Sequence, residues 1–544
     1  MLGLLANNTS GPVAVELLRY AVPLGVGLAS AAFLSFKISS NGGYSTDKSI
    51  PTVRIRSGDS THDKEFNESS DEFLTMCEAT YGPVFNLSIY GQKLTVVSAP
   101  LAREVFMSDG FSFTDALDDV SGVMTFMMSF VKSNRFDDNK MIHEVIRENL
   151  TPNLPLFTPR IVKHLTENVE RDLGHCDHKL VKNPTLIMQN MIAQAMADVF
   201  MGSEIAKDPE VLTTFIDAAF DFGKVVQSGN NKDFWKNLSI KFKYGTGTSP
   251  MMKHVQVLVR AATPVVLERR RQEAEAAEKG VEWERPLDVL QKLLDSYDRY
   301  NFVDLEDICG QVLTLILASV HTTTDTSTNL LYYLACFPEH AQTLYEEQQR
   351  VINEQAAERE AQRQKKLDAG EVKFKQDFVG TDLDPEHDHD LAAPTVKKLV
   401  YMDSFVREVF RFRIDRLSLI HSARQSTTLS NGMTISKGSK AIVNIRSCHM
   451  NPDQVDEAPE FRPWRFVGKS KAATKASSDY LPFGMGKHAC PGRFLAIQEL
   501  KTVGAMMVAR YSKIEMEKPE DRLKALLSQI GDPVDSGLYF TSRA

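Results

Sequence analysis

Near its C-terminal end the chain sets one cysteine in a run of glycines, Phe483-Gly484-Met485-Gly486-Lys487-His488-Ala489-Cys490-Pro491-Gly492-Arg493, followed at once by the helix-like Phe494-Leu495-Ala496-Ile497-Gln498-Glu499-Leu500. A thiol at the start of a helix stands among unpaired backbone N–H groups and the positive end of the helix dipole. Both are expected to lower its pKa and to give its sulfur hydrogen bonds. Gly484, Gly486 and Gly492 would let the backbone turn tightly and let a flat group lie close above it. That chemistry suits a sulfur ligand to iron. The same residues also fit an inert buried thiol, or a nucleophile activated by His488.

Three further groups could do chemistry. Leu313, Ile316, Leu317 and Val320 form an apolar stripe, and a run of hydroxyls follows from Thr322 to Thr328. Threonines can return their hydroxyls to carbonyls one turn back and so bend a helix. In the stretch from Tyr401 to Phe412, Glu408 and Arg411 fall three apart on a helical face, an ion pair worth about 0.2–0.5 kcal/mol when exposed. His143 and Arg147 share a face at i,i+4.

Taken in order, these elements resemble the cytochrome P450 superfamily. Phe483 to Gly492 is similar to its heme-binding loop, and the resemblance implies heme b with Cys490 as the axial ligand, a thiolate whose electron density favours O–O cleavage. Ala318-Ser319-Val320-His321-Thr322-Thr323 resembles the oxygen-binding stretch of its central helix, which implies that Thr322 bonds dioxygen. Ser319 stands for the usual glycine and His321 for the usual acid; a histidine can also move protons near neutral pH. Glu408 and Arg411, with Arg465 of Pro463-Trp464-Arg465-Phe466, are similar to the charged triad that locks the family's core. His143, Arg147, Arg424 and His488 would meet the heme propionates.

The positioning elements follow from pattern. Beta-type runs occur at Val84 to Tyr90, Leu94 to Val97 and Ala441 to Ile445, and the long middle reads as amphipathic helix. The fold class expected is mainly α with small β-sheets, in the cytochrome P450 fold. Residues 45–544 would form one large heme domain, despite a length of 544 residues. Glu354 to Leu391 is charged and poor in large apolar residues, and reads as an exposed insertion. His387 and His389 within it are assigned to solvated loop. His175-Cys176-Asp177-His178 carries too few ligands at finger spacing for a strong zinc site. Met124, Phe126, Met127, Met128 and Phe130, with Leu417 to Ile420 and Ile530 to Leu538, would line a pocket for a bulky apolar substrate.

Residues 1–44 read as a membrane anchor and linker. The span covers about 12–36, and Tyr20 to Phe36 carries no charge, close to the ~20 residues a bilayer requires. Lys37, Lys48, Arg54 and Arg56 then place the main domain on the cytoplasmic side. The sequons at Asn7 and Asn8 would be lumenal. Six scattered cysteines without a CxxC pair suit a reducing compartment, and a net charge of −8 argues against nucleic acid as a partner.

The resemblance implies a single-pass protein of the endoplasmic reticulum membrane, using O2 and electrons from an NADPH-cytochrome P450 reductase. It would hydroxylate or further oxidise an apolar secondary metabolite, with HEVIRENLTPNL, HTTT and GKHACPGRF looking like fungal enzymes of the ent-kaurene oxidase type and pointing to a terpenoid. The rivals are a reductase-independent heme-thiolate isomerase or dehydratase, a non-catalytic membrane heme protein, and a cysteine hydrolase using Cys490 and His488.

Overall fold

The computed structural model describes residues 50–543 apart from 57, 90, 122–129, 134–139, 230–249, 373, 380–382, 384–390, 414–415 and 528–533. The proposed anchor, Met124 to Met128, His387, His389 and part of the 530–538 loop therefore lie outside the described residues. Among those described, no helix is long and apolar enough to cross a membrane.

Helices dominate: α1 (Asp63–Tyr81), α2 (Lys140–Val145), α3 (Leu154–Asp172), α4 (Pro184–Met201), α5 (Pro209–Gly229), α6 (Pro250–Lys279), α7 (Leu305–Cys336), α8 (Ala341–Asp368), α9 (Val400–Arg413) and α10 (Arg493–Arg510). Strands β1 (Val84–Ile89), β2 (Gln92–Val97), β3 (Phe111–Ser112), β5 (Leu417–Ala423) and β6 (Lys440–Asn444) build a five-stranded sheet in the order β1-β2-β6-β5-β3. Strands β4 (Lys179–Val181), β7 (Tyr511–Met516) and β8 (Leu538–Ser542) form a second sheet with β8 central.

Helix α7 is the axis of the helical part. Asp304 caps it, accepting from the Asp307 N–H at 2.9 Å. The expected stripe of Leu313, Ile316, Leu317 and Val320 is buried, and so are Gln311 and Thr314 on other faces. A helix covered on most of its faces lies inside the protein rather than on it. Its neighbours are α4, α5, α6 and α10. The main core gathers Phe157, Phe200, Phe215, Tyr333 and Phe405 around it, each fully buried ring contributing about 1.5–3 kcal/mol.

Glu354 to Asp368, the first part of the stretch read as an exposed insertion, is the second half of α8, carried by pairs such as Arg350 to Glu354 at 2.9 Å. Charge on every face hid its period. Beyond it Phe378 is buried, and Arg363 is buried while donating to Glu360 at 2.8 Å and to Leu383 O at 3.0 Å. The threonine run lies within α7, which is continuous from Leu305 to Cys336.

Candidate functional site

The cysteine loop enters α10 through a short 3-10 turn, Gly486–His488. Cys490 is half-buried, and its N–H donates to Phe483 O at 2.8 Å, closing the loop upon itself. Gly484 (φ 65°) and Gly486 (φ 70°) occupy the left-handed region, and a Cβ on Gly486 would lie 2.7 Å from Phe106 O. Gly492 differs from expectation. Its φ of −79° suits any residue, and its place is set by proximity, since a Cβ there would stand 3.9 Å from the Cys490 sulfur.

Burial pushes the Cys490 thiol up from its ordinary value, outweighing the N–H groups of Gly492 and Arg493 and the Arg493 guanidinium, which act the other way. The lowered pKa expected from the helix start is thus not met by the protein alone, because desolvation exceeds what those donors return. A cationic metal on the sulfur would supply the missing stabilisation of the thiolate.

Within the buried axis of α7, Ala318 and Thr322 are exposed one turn apart, with Ser319 half-exposed between them. Thr322 Oγ1 donates to Ala318 O at 3.0 Å and Ser319 O at 3.2 Å, and Ser319 Oγ to Leu315 O at 2.7 Å. The hydroxyls are satisfied within the helix, as threonine chemistry predicts, without breaking it. His321 is half-buried and its Nδ1 has no hydrogen-bond partner among the described residues. One turn further on, Thr326 and Leu330 share an apolar cleft with Phe410 of α9 and Leu500 of α10, and Phe410 packs on Phe483 of the cysteine loop at 5.4 Å. The open side of α7 and the cysteine loop are joined through this cleft.

Helix α9 also carries an ion cluster built on the fully buried Glu408 and Arg411. Arg411 Nε and Nη2 donate to Glu408 Oε2 and Oε1 at 2.7 and 2.8 Å, and Arg465 Nε donates to Oε1 at 3.1 Å. The Arg462 N–H adds a bond to the same oxygen at 2.9 Å. Remaining guanidinium donors reach carbonyls of Ala458, Glu460 and Glu457. Because each charge is paired and hydrogen-bonded, the cluster can fix one geometry where a truncated set would be costly.

Of the four basic residues assigned to the propionates, His488 and Arg424 both lie beside Asp115. His488 lies beside Phe113, ring centroids 6.4 Å apart, and close enough to lower the Asp115 carboxyl. Arg424 is engaged by that carboxyl in a bidentate pair at 2.7 and 2.8 Å. His143 sits half-buried on α2, where burial lowers its pKa. Arg147 is exposed on the π turn Ile146–Leu150 that follows, 3.8 Å from Glu148. Sequence reading missed His421, buried between Phe106 and Phe113, with Nδ1 donating to Leu419 O at 2.7 Å. Burial, together with His488, depresses its pKa to about 4. The signal was its place in β5, where a bulge between Ser418 and His421 turns Leu419 to φ 55°.

That bulge also revises the expected pocket: Leu417 and Ile420 belong to the sheet core, while Ser418 and Leu419 are half-exposed. The suspected zinc cluster does not assemble, since His178 stacks on Tyr539 at 4.2 Å and Cys176 bonds Phe540 O and Ser542. Among the described residues no group of histidine, cysteine and acid could hold a metal ion.

A flat tetrapyrrole on a cysteine sulfur fits what is present. The sulfur faces N–H donors, Gly492 puts no side chain beside it where a Cβ would stand 3.9 Å away, and α7 exposes only a small residue and a hydroxyl where most of that helix is covered. The chain is similar to cytochrome P450 monooxygenase 151 of Postia placenta, 26% identical over 453 residues, covering 79% of this chain and 80% of that protein. It is 25% identical over 417 residues to cytochrome P450 monooxygenase paxP of Penicillium paxilli, covering 73% and 71%. It is 22% identical over 542 residues to cytochrome P450 monooxygenase penP of Penicillium crustosum, covering 93% and 92%. The sequence model described as Cytochrome P450 matches residues 61–368 and 385–533. The match covers most of the chain, leaving out residues 1–60, 369–384 and 534–544, so this protein belongs to the cytochrome P450 family, oxidoreductases of the monooxygenase type that hold heme through a cysteine thiolate.

Proposed function

We propose that this cytochrome P450 hydroxylates or further oxidises a bulky apolar secondary metabolite of the terpenoid class, taking electrons from an NADPH-dependent reductase. The observation that carries monooxygenation, rather than a reductase-independent rearrangement, is the Thr322 hydroxyl on the one open face of α7. The terpenoid class rests on the resemblance of the His143, Thr322 and Cys490 segments to ent-kaurene oxidase-type enzymes. The N-terminal segment acts as a single-pass anchor in the endoplasmic reticulum membrane, with residues 45–544 as the cytosolic heme domain.

Heme, when bound, supplies the one-electron and dioxygen chemistry. Cys490 holds it through sulfur, and Phe483, Gly484, Gly486 and Gly492 shape the loop that keeps the sulfur in place. His143, Arg147, His488 and Arg424 provide the basic partners for its carboxylates. Ala318 leaves room on the open face. Thr322 Oγ1 relays a proton, and His321, adjacent in the chain, is the second proton carrier of the stretch. Glu408, Arg411 and Arg465 keep the framework rigid.

The test is oxygen consumption by the purified protein with reductase and NADPH, together with spectral titration by candidate terpenes. NADPH-dependent uptake stimulated by an apolar terpene is the expected result; turnover without reductase would favour the rearrangement reading. Removal of residues 1–44 should move the protein from the membrane fraction to the supernatant.

A further inference from the structure

His449 links the ion cluster to the cysteine loop. Its ring is fully buried. Nε2 accepts from the Leu481 N–H at 2.7 Å, so the proton must sit on Nδ1, which lies 3.1 Å from Arg411 O and donates to it. In return Arg411 Nη1 donates to His449 O at 3.2 Å. The path continues to the metal ligand. Gly484 N–H donates to Leu481 O at 3.0 Å, and Cys490 N–H to Phe483 O at 2.8 Å.

The ring is also held in the neutral state that this role requires. Burial, with Arg411 and Arg407 nearby, depresses its pKa to about 3. Tyr480 stacks on it at 5.8 Å, and the Arg407 guanidinium lies 3.7 Å over the far ring. The charged groups facing the imidazole are Arg411, Arg407 and the more distant Asp479.

We infer that His449 is a positioning residue for the thiolate: by holding the Leu481 amide it sets the backbone from which the Cys490 loop springs, and so transmits the rigidity of the Glu408–Arg411 pair to the sulfur. This rests on Cys490 being the heme ligand. Three elements far apart in sequence meet on this one ring, and no other side chain among the described residues is recorded bonding both Arg411 O and Leu481 N.

The test uses the full-length heme-loaded protein with carbon monoxide as probe, following the long-wavelength Soret band of the thiolate-ligated ferrous complex over time. His449→Phe keeps the stack on Tyr480 but removes both hydrogen bonds, and the band should decay about tenfold faster than in the wild type, the factor expected when the buried Leu481 N–H is left without its acceptor. His449→Gln, whose amide can accept and donate as the ring does, should restore most of the lifetime. Urea unfolding midpoints are measured alongside. A variant with a lowered midpoint but an unchanged band lifetime would mean that His449 only stabilises the fold, and the inference falls. If His449→Phe cannot be purified, Gln and the shorter Asn are compared, and equal lifetimes for the two overturn it. A wild type that never shows the band would defeat the thiolate reading itself.

Discussion

Gly310 of α7 and the carbonyl of Phe130 meet so closely that no side chain fits between them: a Cβ at 310 would stand 2.5 Å from that oxygen. One turn earlier, buried Asp307 accepts from the N–H groups of Lys132 and Ser133 at 2.9 and 2.8 Å and of Val303 at 3.1 Å. Together they fasten residues 130–133 to the first turns of the helix that carries Thr322.

Gly310→Ala is therefore expected to destabilise the protein. Alanine gains about 1 kcal/mol of helix propensity, but the obstacle is backbone, and overpacking costs about 1–3 kcal/mol. Urea unfolding should show a lower midpoint; a raised midpoint would mean that the segment moves aside freely. Asp307→Ala strips three N–H groups, that of Ser133 buried, of their acceptor and should cost more than Asp307→Asn in the same assay.

Glu408→Gln leaves Arg411 and Arg465 buried against a neutral group. Breaking a buried pair in this way costs about 3–5 kcal/mol, so the variant should express with little bound heme, read as the ratio of Soret to protein absorbance. Arg465→Lys keeps the charge but loses the fork that reaches the Glu457 and Glu460 carbonyls. Its heme content should fall between wild type and Glu408→Gln.

Thr322 bonds only carbonyls of its own helix and is exposed. Thr322→Ala should thus leave unfolding within about 0.5 kcal/mol of the wild type. NADPH oxidation should continue with a larger share lost as hydrogen peroxide, and Thr322→Ser should recover coupling. Unchanged coupling in the alanine variant would remove Thr322 from proton delivery.

Two buried histidines set an acid limit. Burial first of all lowers His421 from 6.5 to about 4 and His449 from 6.5 to about 3. Between these values the unfolded chain binds more protons, so the stabilisation is full above 6.5 and is lost as pH falls toward the folded-state values. One unit below 6.5, each should have cost about 1.4 kcal/mol. Urea midpoints at successive pH values should show this loss, and His421→Asn should remove about half of it; an unaltered slope would mean that His421 is not neutral in the fold.

Much of this was legible in the chain. The glycine-rich cysteine segment, the Glu408–Arg411 spacing, the strands near 84, 94 and 441 and the helical class all follow from short-range rules: backbone freedom at glycine, period in apolar side chains, and hydroxyls that bond one turn back. The tertiary structure alone decided the rest. His449 reaches residues 38 and 32 positions away, and Asp115 captures Arg424 from 309 positions away. No local pattern encodes such partners, because a buried polar group must be matched by whatever the folded topology brings beside it. For the same reason the expected fall in the Cys490 pKa did not appear, since the cost of desolvation is a property of the packed interior and not of the residues next in sequence.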